Sequence, residues 1–268
     1  MDTIDQQAIC FEKSGAEKIS IPLISEEPLS IRIQGSPYAV VMRTPGNEKE
    51  HVAGFCLAEG IVDSTKEIIA IGFCDGSDTN VITVTLTAAR REKISGFLDR
   101  RGYISQTSCG ICGKEIVEDL TQKLKPVPDG IVLDVDKTLD CLNHLTDHQP
   151  LRKKTKASHA TVIYGKHYKA ISSAEDVGRH NALDKAVGRL FLEERLDEAA
   201  FLTLSSRISY ELVQKAARAR IPVLLAISRP TALAVKLASE LNMAVATLSI
   251  EDDLIVYCNP HRLKKMNP

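Results

Sequence analysis

The second half of the chain alternates short apolar runs with segments whose apolar positions recur at helical spacing. Residues 160–164 and 168–172 predict a β-hairpin across the turn at residues 165–167. The pattern after this hairpin predicts helices over 177–194, 209–220 and 231–242, and strands over 199–204, 221–227 and 243–250. Because helices and strands alternate, we expect a parallel sheet with right-handed crossovers and with helices packed on it.

The first half is dominated by β-strand signals. Residues 29–43 predict a β-hairpin, because the first arm alternates apolar and polar side chains and a Gly-Ser-Pro sequence marks the turn. Residues 79–87 alternate strictly over a β-branched run, which is typical of a strand. Residues 51–60 predict one helix that ends at Gly60. This mixture predicts an α+β unit.

A stretch punctuated by Pro126, Pro128 and Gly130 separates the two halves. We therefore expect an N-terminal α+β subdomain over residues 1–125 and an α/β subdomain over residues 126–268.

The composition is that of an ordinary globular protein, because 44% of the 268 residues are hydrophobic and 26% are charged. The net charge of −1 provides no global basic field, so we expect no nucleic-acid partner. The basic run at 152–156 is predicted to be a solvated loop. The N-terminus shows no signal-peptide pattern, and the strongest apolar runs are strand-length. We therefore expect a cytoplasmic protein without a membrane partner.

The cysteines do not form a secreted disulfide framework, because there are seven of them, scattered along a long chain. Cys10, Cys56, Cys74 and Cys141 stand alone, and each is predicted to be a small buried apolar residue. The exception is the segment 108–114, which reads Ser-Cys-Gly-Ile-Cys-Gly-Lys.

This segment sets Cys109 and Cys112 three residues apart between glycines, with Lys114 just behind. The thiolate is the reactive form of cysteine, and neighbouring cations favour it. A structural zinc site needs a second ligand pair at finger spacing, and the loop between the cysteines and the pair His144 and His148 is too long for one. A zinc deaminase needs a His-x-Glu motif, which the sequence lacks. A thioredoxin-like pair begins a helix after a strand, whereas this segment resembles a loop. What remains is a nucleophilic or sulfur-carrying cysteine, which the spacing permits without proving.

Two loops in the second half carry groups that suit an anion. Ser205 and Arg207 follow one predicted strand, and Ser228 follows the next. Hydroxyls, guanidinium groups and helix N-termini bind phosphate, and ligands of open α/β sheets bind at the carboxyl ends of strands. The alternative is that the Ser and Thr side chains only cap the helices that follow.

The densest polar run of the chain covers residues 175–185. Asp176, His180 and Asp184 recur four residues apart, so one helical face is predicted to carry an acid–imidazole–acid ladder. In this ladder His180 would shuttle a proton or orient a substrate. The structural alternative is that Asp176 caps the helix and the other residues form intrahelical pairs. His159, just before a predicted strand, is expected to face the same crevice.

Several separated segments resemble the FdhD/NarQ family of formate dehydrogenase accessory sulfurtransferases. The resemblance is carried by the cysteine segment and by five other blocks, at residues 43–46, 54–60, 175–185, 205–211 and 256–262. These blocks occur in the family's order over nearly the whole chain.

The resemblance implies a cytoplasmic protein that formate dehydrogenase requires for activity. It implies that a cysteine persulfide is accepted from a cysteine desulfurase. Its sulfur then passes to the molybdenum (or tungsten) bis-guanine-dinucleotide cofactor before that cofactor enters the catalytic subunit of formate dehydrogenase. Family members are expected to be homodimers. The implied fold is a cytidine-deaminase-like three-layer α/β domain with a mixed, largely parallel sheet, and no tightly bound structural metal is expected.

The resemblance also implies roles by position. Cys109 would carry the persulfide and Cys112 would assist or shield it. The family's cofactor-binding segment falls on Leu254, Ile255, Val256, Tyr257, Cys258 and Asn259. The other expected cofactor-binding residues are Ser205, Arg207, Ser228, His159, Asp176, Arg179 and His180.

The chain departs from the family pattern at three places. Members usually carry Thr-Gly-Gly-x-His, whereas residues 155–159 read Thr-Lys-Ala-Ser-His. Ser206 stands where glycine is common, and Leu254 stands where an aromatic residue is common. The missing glycines bring the close approach of the backbone to a ligand into question, while both cysteines are present.

Two other function classes stay open. One is a non-catalytic chaperone that binds the molybdenum cofactor and delivers it to formate dehydrogenase, with cysteines that hold a metal or form a disulfide. The other is a nucleotide-modifying enzyme on the same fold, which would turn over a free nucleotide.

Overall fold

The computed structural model describes residues 2–73, 79–101, 124–251 and 253–266. Cys74, Cys109 and Cys112 lie outside these residues. The strands are β1 (Thr3–Glu12), β2 (Gly15–Ile24), β3 (Glu27–Ile33), β4 (Ser36–Arg43), β5 (Ile68–Phe73), β6 (Val81–Leu86), β7 (Leu133–Asp134), β8 (His159–Gly165), β9 (Ala170–Asp176), β10 (Ala199–Leu204), β11 (Val223–Ala226), β12 (Ala244–Leu248), β13 (Leu254–Cys258) and β14 (Leu263–Lys264). The helices are α1 (Glu48–Ala58), α2 (Ala88–Arg101), α3 (Val135–Asn143), α4 (Pro150–Thr155), α5 (Arg179–Leu192), α6 (Tyr210–Arg218) and α7 (Ala232–Glu240).

A four-stranded sheet with the order β4-β3-β6-β5 lies in the N-terminal half. β3 and β4 pair as the antiparallel hairpin predicted at 29–43, and β6 is the predicted strand at 79–87. Leu29, Ile31 and Ile33 alternate on the buried face of β3, and α1 packs on this face. The helix predicted from residue 51 begins earlier, at Glu48.

A six-stranded sheet with the order β13-β12-β11-β10-β8-β9 lies in the C-terminal half. β10, β11 and β12 are parallel, as predicted, but β8, β9 and β13 run antiparallel to their neighbours. The sheet is therefore mixed, and the expectation of a largely parallel sheet is wrong. Short turns join β8 to β9 and β12 to β13, and a short turn permits only antiparallel pairing, whereas α6 and α7 connect the parallel strands.

The side chains of this sheet alternate between two hydrophobic clusters, one on each face. Val162, Val223 and Leu225 point to the face covered by α3. Ile163 and Leu224 point to the opposite face, under α5, α6 and α7. The cluster under these three helices continues into α1 and the four-stranded sheet, so the two halves share one core. The division at residue 125 stays a prediction.

α1 and α5 cross with their backbones in contact, because each has a glycine at the crossing point. A Cβ atom on Gly188 would lie 1.8 Å from the carbonyl oxygen of Glu50. A Cβ atom on Gly54 would lie 2.0 Å from the carbonyl oxygen of Asp184. No side chain fits at either position, so the two glycines allow α1 to dock on α5.

Other elements are not predicted by the hydrophobic pattern. β1 and β2 form a hairpin whose side chains are largely exposed, so its strands carry little of the alternation that marks a buried face. Cys56 is buried as predicted, whereas Cys10 and Cys141 are only partly buried. Among the described residues, no helix is both long and apolar enough to cross a membrane.

We expect the Gly188→Ala substitution to lower the free energy of unfolding by about 1–3 kcal/mol or more, since the added methyl group forces α1 away from α5. Gly72→Ala is the matched control, because a Cβ atom at Gly72 has no neighbour within 4 Å. Urea unfolding followed by circular dichroism measures both variants. Equal stability of Gly188→Ala and the wild type would contradict the tight crossing.

Candidate functional site

The polar residues predicted from separate segments meet at one edge of the six-stranded sheet. Ser205 and Ser228 follow the carboxyl ends of the parallel strands β10 and β11. β8 runs antiparallel to β10 and begins at the same edge with His159, which is paired in register with Asp176 at the end of β9. α5, α6 and α7 also begin at this edge, which is where ligands bind in open α/β sheets.

Asp176 lies beneath the surface of this edge. Its carboxylate is 0% exposed and accepts hydrogen bonds from the backbone N–H groups of Thr44 (3.1 Å) and Gly178 (2.8 Å). It also accepts one from Asn181 Nδ2 at 2.9 Å. Lys185 Nζ lies 2.7 Å from its Oδ2 atom and donates to the carbonyl oxygen of Thr44 at 2.7 Å. Asp176 thus presents no exposed oxygen to a ligand, and its expected role in binding becomes an indirect one.

His180 does not pair within its own helix. Its Nε2 atom lies 2.9 Å from Oε2 of Glu211, a residue of α6. Asp184, one turn further along α5, pairs instead with Lys215 Nζ at 2.8 Å. The predicted intrahelical ladder is therefore wrong, and so are the intrahelical pairs of its alternative. The physical reason is that α5 is buried between neighbouring elements, so its charged side chains find their partners across the helix contacts.

The edge is electropositive around His159. Burial lowers the pKa of His159, the nearby Arg179, Arg152 and His180 side chains lower it further, and the carboxylate of Asp176 raises it. Three buried polar atoms there have no hydrogen-bond partner among the described residues: Nδ1 of His159, Nε of Arg179 and Oγ1 of Thr161. Buried polar atoms without partners cost free energy, so this arrangement suits a polar, anionic ligand. No group of three or more metal-ligating side chains occurs in the described part of the chain.

Some hydroxyl groups of the two loops predicted to bind an anion form hydrogen bonds within the protein. Ser205 Oγ accepts a hydrogen bond of 2.8 Å from the backbone N–H of Ala160. Thr231 Oγ1 accepts one of 3.2 Å from the first turn of α7, which confirms the capping alternative for this residue. Arg207 is exposed and Ser228 is half-buried. The side chains of Arg207 and Ser228 are therefore accessible to a ligand.

The C-terminal segment expected to bind the cofactor forms β13, the strand at one side of the sheet, which runs antiparallel along β12. Leu254 lies at the edge described above, paired with the last residue of β12. Cys258 and Asn259 lie at the opposite end, where Asn259 Nδ2 donates to the carbonyl oxygen of Met243 at 2.8 Å. The structure therefore brings only the start of the segment near the other predicted residues. Between the two ends lie Ile255, Val256 and Tyr257.

Several residues that support the site were not predicted individually. Glu175 on β9 accepts hydrogen bonds from the backbone N–H groups of Leu151 (2.7 Å) and Arg152 (2.9 Å), and so caps α4. The sequence does contain one indication of the role of Lys185, because a lysine on the buried stripe of a helix requires a carboxylate partner. For Glu211 it contains none, because its partner lies on another helix.

One of the positions at which the family usually has glycine, Lys156, has a left-handed backbone conformation. Lys156 follows α4 with a φ angle of 61°, a conformation that favours glycine. The backbone expected from a glycine is thus adopted by a lysine, which places its side chain, exposed, beside the start of β8.

This chain is similar to known proteins over most of its length. The model of the FdhD/NarQ family matches residues 24–264. Sulfur carrier protein FdhD of Anaeromyxobacter dehalogenans is 34% identical over 92% of this chain and 90% of its own. Sulfur carrier protein FdhD of Mycobacterium tuberculosis is 36% identical over 90% of this chain and 91% of its own.

One solved structure, described as a putative formate dehydrogenase accessory protein from Desulfotalea psychrophila, aligns with a TM-score of 0.77. It covers 98% of this chain and 99% of its own, at 22% sequence identity. At this identity the alignment shows that the two proteins share a fold.

We expect Lys185→Ala to lower the free energy of unfolding by about 3–5 kcal/mol, because it leaves Asp176 buried without its counter-charge. Lys169→Ala, at an exposed lysine of the β8–β9 turn, is the matched control and should have little effect. Urea unfolding measures both. A loss below about 1 kcal/mol for Lys185→Ala would contradict a stabilising role for the buried pair.

We also expect the protein to lose stability as the pH falls from about 7.5 to 5.5. Burial lowers the pKa of His51 on α1 well below its ordinary value, and Lys185, Lys215 and Arg43 lower it further. Below the histidine pKa of the unfolded chain, about 6.5, the unfolded chain binds a proton at this residue and the folded chain does not. Each such histidine therefore contributes a loss of up to about 1.4 kcal/mol per pH unit.

Urea unfolding of the wild type and of His51→Gln at both pH values measures this effect. The variant should lose less stability than the wild type over this range, and the remaining loss is assigned to His159, whose pKa is also lowered. His167→Gln, in an exposed turn, is the control. An unchanged pH dependence in His51→Gln would show that His51 is not the source.

Proposed function

The chain belongs to the FdhD/NarQ family, and from this membership we propose that it is a sulfur carrier for the maturation of formate dehydrogenase. The relatives that carry the name sulfur carrier protein match about nine-tenths of the chain, so the comparison concerns the whole protein and not one segment. The two-cysteine segment supplies the nucleophile that sulfur carriage requires.

In the proposed loading step, the thiolate of Cys109 attacks the terminal sulfur of a cysteine persulfide on a cysteine desulfurase. The S–S bond of the donor breaks and a new S–S bond forms on Cys109. The desulfurase cysteine leaves as a thiolate, so the exchange involves no net oxidation or reduction. Cys112 assists or shields the loaded sulfur.

The proposed acceptor is the molybdenum or tungsten bis-guanine-dinucleotide cofactor, which the protein handles as a substrate. The observation that carries this proposal is the sheet edge at which Nε of Arg179, Nδ1 of His159 and Oγ1 of Thr161 are buried without hydrogen-bond partners among the described residues, beside the positive charges of Arg179 and Arg152. Phosphate groups of a dinucleotide satisfy such donors through charge-assisted hydrogen bonds. Arg207 and Ser228 extend the same surface on the loops after β10 and β11.

Further features follow from family membership and belong to the same proposal. We expect the α/β part to be cytidine-deaminase-like, with a three-layer arrangement around the six-stranded sheet. We expect a cytoplasmic homodimer that contacts a desulfurase and the catalytic subunit of formate dehydrogenase, and that acts as a sulfurtransferase.

The test is peptide mass spectrometry after incubation with a cysteine desulfurase and cysteine, with an alkylating trap. We expect a reducible gain of one sulfur atom on the peptide that contains Cys109 and Cys112, and no gain there in Cys109→Ala. Cys10→Ala is the matched control. It removes a partly buried cysteine that is distant in sequence from Cys109, and the variant should load sulfur normally.

The same variants are then tested for formate dehydrogenase activity in cells. Cys109→Ala should abolish maturation while circular dichroism shows a folded protein. If the wild type gains no sulfur under conditions that load a known acceptor, the result would instead favour the chaperone that only binds and delivers the cofactor. A stoichiometric metal bound through the two cysteines would favour the same alternative.

A further inference from the structure

At the predicted site, the His180 side chain of α5 contacts the Glu211 side chain of α6. Its Nε2 atom lies 2.9 Å from Oε2 of Glu211 and 3.3 Å from Oγ of Ser209. His180 belongs to the first turn of α5 and Glu211 to the first turn of α6, so the contact spans the space between two helix N-termini. The side chains of His180 and Glu211 are 25% and 39% exposed, so the pair is open to a ligand at this edge.

Both partners of His180 contact the same ring nitrogen. In a Ser-His-acid relay the hydroxyl and the carboxylate contact different ring nitrogens, so Ser209, His180 and Glu211 do not form such a relay. A carboxylate accepts the Nε2–H of the ring, which leaves Nδ1 as the nitrogen that can contact a ligand. The hydrogen bond to His180 is also the largest cause that lowers the pKa of Glu211, and it keeps the carboxylate charged.

We infer that Glu211 is a positioning residue, which fixes the His180 ring so that the unprotonated Nδ1 accepts a hydrogen bond from a ribose hydroxyl group of a bound guanine nucleotide. This inference rests on the proposed function, because the guanine nucleotide is part of the proposed substrate. Arg179 precedes His180 in the first turn of α5, and the electropositive surroundings of His159 favour an anion. Nδ1 of the neutral ring carries no proton, so it suits a hydroxyl group of the nucleotide and not its phosphate.

The test uses GDP as the probe and measures its affinity for the full chain by calorimetry. We expect Glu211→Ala to weaken GDP binding about tenfold, the loss of roughly one hydrogen bond. Glu211→Gln should stay within about threefold of the wild type, because its carbonyl oxygen still accepts the Nε2–H. Glu193→Ala, at an exposed glutamate that follows the other end of α5, is the matched control and should bind GDP normally.

A second measurement needs no ligand. Long-range ¹H–¹⁵N spectra of the histidine rings should show His180, assigned with His180→Asn, with its proton on Nε2 in the wild type and in Glu211→Gln. In Glu211→Ala they should show a mixture of tautomers. A change of overall stability alone does not alter the tautomer of one ring in the folded protein.

Normal GDP binding by Glu211→Ala would overturn the inference. Equal weakening in Glu211→Gln and Glu211→Ala would overturn it too, because charge and not ring position would then be decisive. A wild type that binds no GDP would count against the proposed substrate, while the tautomer spectra still decide whether Glu211 fixes the ring.

Discussion

The buried ion pair of Lys185 and Asp176 is the interaction on which the geometry of the site depends. Isolated charges in a protein interior are strongly unfavourable, so each is retained only because it is paired and further hydrogen-bonded. Through Thr44, the pair locks the segment after β4 against the start of α5. Because Asp176 is also paired in register with His159, the same contact sets where β8 begins. The position of the residues that we propose to face a ligand thus depends on an ion pair buried beneath them.

A second constraint is steric. Gly54 and Gly188 let α1 approach α5 until the backbones touch, and only then can Lys185 reach Thr44. The close crossing also makes the core under α5 continuous with the core of the four-stranded sheet. The protein therefore does not divide its apolar interior between its two halves, although the sequence changes character near Pro126.

The polar residues of the sheet edge fall into two groups with different consequences for substitution. Asp176, Ser205 and Thr231 are hydrogen-bonded inside the protein, so changes there act first on the folded structure. Arg207 is exposed and His180 is partly exposed at the same edge, so we expect changes there to act first on binding at the proposed site. Residue type and spacing alone do not separate the two groups, since both consist of ordinary polar side chains in loops and first turns.

The sequence by itself determined the features that depend on local periodicity. The hairpin at 29–43, the hairpin of β8 and β9, and the alternation of strands and helices from residue 177 onward are all present, because alternation and helical spacing are properties of neighbouring residues. The blocks that resemble the FdhD/NarQ family also stand in the sequence alone, and the comparisons confirm that membership. The exposed hairpin of β1 and β2 was not predicted, because it buries too little surface to show a hydrophobic pattern.

Only the tertiary structure decided which charges are partners. Asp176, His180 and Asp184 are equally spaced in the sequence, yet they pair with Lys185, Glu211 and Lys215 respectively. A buried helix satisfies its charges wherever the neighbouring elements place an opposite charge, and that placement depends on packing between segments distant in sequence. The direction of β13 was decided in the same way, because a short turn after β12 reverses the chain and carries Cys258 and Asn259 to the edge opposite the site.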